Sequence, residues 1–174
     1  MRSKALGLSP IAILGLAALG VPRVIAHDLS LVGPAVNALL VFLPIAVWLA
    51  VVLWQRVPNP FLTLLAIGAV YGVLLGLTHQ VLWSASFGDT PPALGGNLAG
   101  ALSPATEAVL LRTFAFGSSL LTGVGVGVAT GAVGWLLSRL TPAARADAES
   151  HSAEGFAGVG SRQLGPSGLP SQTH

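Results

Sequence analysis

Cysteine is absent from this chain, which excludes a disulfide framework and any thiolate metal site. Charge is nearly as scarce. Only 8% of the 174 residues are Asp, Glu, Lys or Arg, where a soluble domain carries about a quarter. The net charge of +2 comes from scattered basic residues. Without a basic cluster there is no footprint for nucleic acid, and the Arg and Lys residues read as membrane-topology signals. Four histidines are present, but none falls in an H-x-x-x-H or H-E-x-x-H spacing, so no metal motif is formed. No motif calls for a cofactor.

What is there is apolar. Hydrophobic residues make up 53% of the chain and the mean hydropathy is +0.79. These values predict an integral membrane protein, and the heavy use of Ala, Gly, Leu and Val suits a GC-rich bacterial genome. The expected fold is all-α: a polytopic four-transmembrane-helix bundle over residues 1–140, followed by a disordered cytoplasmic tail over 141–174. The spans fall at 5–22, 34–54, 60–83 and 112–138, each close to the roughly 20 apolar residues a bilayer needs. Pro44 should kink the second span. Asn59 can cap the third and Pro60 suits its first position. The short link from Gln55 to Asn59 predicts a tight antiparallel hairpin.

The fourth helix is expected to begin outside the membrane, with Ser103 as cap and Pro104 at its first position. Followed to Leu140 it would be about 55 Å long, so it should project or tilt. Thr141-Pro142 is the expected stop. The tail beyond, rich in Gly, Ser, Ala, Pro and Gln, has no apolar periodicity. The loop from Ser84 to Ser103, with Pro91-Pro92 and Gly95-Gly96, is long for a connection.

Arg2, Lys4, Arg56, Arg139 and Arg145 lie on one side of the spans and Arg23 and Arg112 on the other. The positive-inside rule then places both termini in the cytoplasm of a plasma (inner) membrane. Trp54 and Trp135 would mark the inner interface and Trp83 the outer. Span one has a rival reading as a signal peptide, with Arg2 and Lys4 as its basic start and Val24-Ile25-Ala26 as a small-residue cut site. Its apolar stretch is longer than usual for that role, and Arg23 lies close to the cut.

Two rows of small residues stand out: Gly68, Gly72, Gly76, and Ser119, Gly123, Gly127, Gly131. Four-residue spacing puts each row on one helix face, where backbones can approach closely and van der Waals contact holds helices together in lipid. His79 tops the first row and Arg112 the second. Antiparallel packing of the rows should bring the two together near the outer surface, about 28 Å along the third span. His27, Asp28, Asn37, Gln80 and Glu107 are placed at a similar depth, with Asp28 or Glu107 as the counter-charge. These seven residues form the candidate ligand-binding cluster. No Asp, Glu, Lys, Arg or His falls at the centre of the membrane, which argues against an ion-coupled carrier.

Other signals weigh less. The Gly123-Val124-Gly125-Val126-Gly127 run lacks the preceding strand of a phosphate-binding loop. Ser118 and Ser119 have no base near them in sequence, and Tyr71 reads as packing. The architecture resembles that of the many short multi-span proteins of bacterial envelopes, and the resemblance implies no residue roles. The leading expectation is a non-enzymatic structural, accessory or ligand-sensing bundle in the lipid bilayer, with a homo-oligomer or a membrane-protein partner on its glycine faces. The alternatives are a subunit of an oligomeric transporter or channel, lined by Ser118, Ser119, Thr122 and Thr130, and a small enzyme working at the outer face.

Overall fold

The computed structural model describes residues 5–160, with side chains as far as residue 140. The described residues contain helices and loops and no strand. Four helical stretches are long and apolar enough to cross a membrane: Pro10–Asp28, Pro34–Trp54, Pro60–Phe87 and Pro104–Leu140. The helices are α1 Pro10–Ala18, α2 Val21–Asp28, α3 Pro34–Trp54, α4 Pro60–Phe87 and α5 Pro104–Gly160. The chain divides into two compact units, Met1–Leu137 and Ser138–His174.

In the second unit, the stop expected at Thr141-Pro142 is corrected, because α5 passes through it to Gly160. An interior proline forfeits one backbone hydrogen bond. The residues that follow include Ala143, Ala144, Ala146 and Ala148, and alanine has the most favourable helix propensity. The expectation of disorder therefore falls on 141–160, where the backbone is helical, and on 161–174, outside the described residues.

Span one, expected as a single helix over 5–22, is also corrected. It begins at Pro10, where Ser9 Oγ caps Ala12 N at 3.2 Å, and it breaks between Ala18 and Val21. Pro22 in the first turn of α2 has no N–H to offer the turn before it. Gly20 at the break lies against Tyr71, and a Cβ there would come within 2.5 Å of the ring. The break leaves carbonyls at the end of α1 in need of donors. The Leu16 carbonyl accepts from Leu19 N at 3.2 Å and from the Trp48 indole N–H at 2.7 Å. Trp48 is 1% exposed, so α3 supplies from the core the donor that the broken helix lacks.

Helix α4 is central. It packs against α1, α2 and α3 and lies along α5 through glycine. Its first turn is set by Asn59, whose side chain accepts from Leu62 N at 3.1 Å, and by Pro60. Thr63, fully buried, donates to the Leu6 carbonyl at 2.8 Å and ties the segment before α1 to this end of α4. Leu8, Ile13, Ala17, Trp48, Val52, Val57, Leu64 and Ile67 form the apolar core.

The α4–α5 seam runs antiparallel: Gly68 faces Gly123 and Gly127, Gly72 faces Ser119 and Leu120, and Gly76 faces the ring of Phe116. A Cβ on Gly68 would sit 2.5 Å from Gly127 Cα, and one on Gly127 would sit 3.1 Å from Leu65 Cα. The atoms met are backbone atoms of the facing helix, so no side chain can move aside to make room.

Candidate functional site

The end of the first unit where α2 and α4 finish and α5 begins carries the polar residues. Asp28 closes α2 and reaches across to α4, where Asp28 Oδ2 lies 2.6 Å from His79 Nδ1. Its other oxygen is 3.4 Å from His27 Nδ1. The Asp28 side chain is only 9% exposed. A carboxylate only accepts hydrogen bonds, so His79 Nδ1 donates, and in the neutral ring Nε2 is then the acceptor.

The expected His79–Arg112 meeting is replaced by two separate pairings. Asp28 takes His79, while Arg112 turns to the next residue on α4. Gln80 Nε2 donates to the Arg112 carbonyl at 3.1 Å, and Arg112 Nη1 donates to Gln80 Oε1 at 3.4 Å. The guanidinium also lies 4.8 Å from the centroid of the Trp83 ring. The reason is steric. One turn below, Phe116 fills the seam against Gly76, so the two helices are spaced by a ring where the glycine rows end.

The remaining members of the cluster are distributed around this group. Asn37 Oδ1 accepts from Arg23 Nε at 3.2 Å, and the Arg23 guanidinium lies near enough to the Tyr71 hydroxyl to interact with it electrostatically. Glu107 Oε1 accepts from Leu94 N and pins the long loop to the start of α5. The seven candidates thus belong to four local groups, of which His27, Asp28 and His79 form one.

That group opens into a cavity of about 370 Å³ lined by His27, Asp28, His79, Trp83, Ser86, Phe87, Ala115, Ser118 and Ser119. The described lining residues include one carboxylate and no Lys or Arg. Ser86 Oγ is buried and has no hydrogen-bond partner, a condition that costs on the order of 1–3 kcal/mol where nothing fills it. Ser118 and Ser119 differ from Ser86: both donate to the Ala115 carbonyl, at 3.0 and 2.8 Å. No group of three His, Cys, Asp or Glu suited to a metal ion occurs among the described residues.

Sequence reasoning missed Trp83 and Ser86 as site residues. The signal was available, since they stand four and seven residues after His79 and so share its helix face. It also missed that Tyr71 lies against Gly20, where span one breaks. The Asp28–His79 contact gives a direct check in this cysteine-free chain. An Asp28→Cys/His79→Cys pair is expected to be joined by a short bifunctional thiol cross-linker, read after cleavage of the loop between α2 and α3 as fragments that stay together. A pair that no short linker joins would place α2 elsewhere. Comparison with protein-family models, with curated proteins and with solved structures finds no match to this chain.

Proposed function

We propose that this protein is an integral membrane bundle with both termini in the cytoplasm, and that it binds a small ligand in the cavity between α2, α4 and α5 at its outer end, in an accessory or sensing role. The observation that carries this reading is the nearly buried Asp28 carboxylate in the lining of an otherwise largely apolar cavity. A concave apolar volume with a few convergent polar groups is the form of a small-molecule site.

The glycine rows support a clamp within the chain. They face each other inside one copy, which supports a role in holding α4 to α5. A pore lined by α5 hydroxyls is less well supported. Ser118, Ser119, Thr122 and Thr130 all donate to carbonyls of their own helix, and Ser119 and Thr130 are buried. An enzyme with His79 as base draws on the Asp28–His79 contact alone.

Two measurements test the proposal. A single cysteine at Ser30 should react with a membrane-impermeant maleimide on intact cells, and one at Arg56 only after permeabilisation; the reverse pattern would invert the orientation. Native mass spectrometry of protein released from its own membrane should show a bound small molecule that a Ser86→Trp variant lacks. Identical spectra for the two would remove the cavity from consideration as a binding site.

A further inference from the structure

Resting on that reading of the cavity, we infer that its ligand presents a primary ammonium group joined to an apolar carbon skeleton. The charged group available to a ligand is an acceptor. Asp28 accepts through both oxygens, and its Oδ1 contact to His27, at 3.4 Å, is long. With Nδ1 committed to Asp28 at 2.6 Å, His79 presents Nε2, which is a lone pair when the ring is neutral. Ser86 forms part of the wall beside them. A group that carries three N–H donors and a positive charge complements such a lining, and charge-assisted hydrogen bonds to a carboxylate are among the strong ones.

The sign of the charge follows from the lining. The described lining residues hold one carboxylate and no Lys or Arg, so an anionic headgroup would meet the like charge of Asp28 within the cavity wall. Trp83 and Phe87, tilted together with ring centroids 5.0 Å apart, supply the apolar wall. Arg112 already stacks on the Trp83 ring, so the acceptors, and not the aromatic face, hold the cation. This chemistry is shared by the headgroup of an ethanolamine lipid and by a free lipophilic amine.

A matched set of probes tests it: 2-phenylethylamine, phenylacetate and 2-phenylethanol, titrated calorimetrically into the full chain in phosphatidylcholine nanodiscs. The amine is expected to bind at one site. Binding should weaken by about tenfold or more in Asp28→Asn, which removes the charge but keeps an acceptor for His79, and should vanish in Ser86→Leu, which fills the cavity. Thermal unfolding followed by far-ultraviolet circular dichroism reports that each variant is folded, and either variant alone suffices. If replacing half of the lipid by phosphatidylethanolamine lowers the apparent affinity for the amine, the aminolipid is the source. If it has no effect, a free amine is. Binding of phenylacetate or phenylethanol as tight as the amine, and blocked by Ser86→Leu, would overturn the ammonium assignment and leave the cavity as a binding site. Amine binding that ignores both substitutions would show simple partitioning into lipid and overturn the assignment. Absence of binding by all three probes would overturn the binding role of the cavity itself.

Discussion

Replacing Gly123 with leucine is expected to force α4 and α5 apart, whereas the same change at Gly125, two residues away, leaves the bundle intact. The contrast follows from what each position meets. A Cβ on Gly123 would run into the backbone of Gly72 and would lie 2.5 Å from the Gly68 carbonyl oxygen. A Cβ on Gly125 meets nothing within 4 Å. Even one added methyl in a filled interior costs about 1–3 kcal/mol when neighbours can adjust. Backbone atoms of a helix cannot adjust, so a leucine must separate the helices along the seam. That separation weakens the van der Waals attraction that chiefly holds helices together in lipid, where no hydrophobic driving force acts between them. At Gly125 the leucine faces outward and relieves a glycine that costs about 1 kcal/mol of helix propensity. Thermal unfolding in a mild detergent separates the cases: a fall of many degrees or failure to accumulate for Gly123→Leu, no fall for Gly125→Leu. Equal melting of the two variants would mean that the glycine seam contributes little.

The reason this seam was legible from sequence lies in its geometry. Close approach needs small residues on one face, and one helix face is a four-residue repeat, so Gly68, Gly72 and Gly76 announce it without any partner being known. Helix starts were legible for the same local reason. Asn59 and the prolines at positions 34, 60 and 104 act on their own first turns, whereas the start at Ser9 and Pro10 lay inside a run expected to begin at residue 5. What the sequence hid is what depends on a partner. The break at Gly20 falls within an apolar run, and the Leu16 carbonyl it exposes is satisfied by Trp48, 32 residues away. Once the run is broken, α2 is a separate piece that brings Asp28 to His79, 51 residues on. Periodicity carries no record of that contact. It predicted that His79 and Arg112 would share a depth, and this alone does not decide which of the nearby polar groups each will take. Here Phe116 and Gln80 decide it for Arg112.

Trp48→Ala is the second change of large expected effect, and it tests the broken span. Trp48 is among the largest fully buried side chains. It packs edge-on to Tyr71 with ring centroids 5.7 Å apart, and Tyr71 in turn fills the space left by Gly20. Truncating a buried tryptophan costs about 3–5 kcal/mol through the packing it removes and the cavity it leaves, against a total stability of about 5–15 kcal/mol for a folded domain. Trp48→Phe divides that cost. It keeps most of the ring and removes the indole N–H, leaving the Leu16 carbonyl with the weaker bond from Leu19 N at 3.2 Å. Because that carbonyl is not fully orphaned, the phenylalanine variant should lose about 1 kcal/mol, the low end of the cost of an unmet buried acceptor. The effect should also be local. Hydrogen exchange over residues 16–24 is expected to quicken in both variants, while the glycine seam between α4 and α5 keeps its protection. If exchange rises equally along α4 and α5, the break is not an independently held joint, and α1 and α2 reach the bundle by some other attachment than the tryptophan.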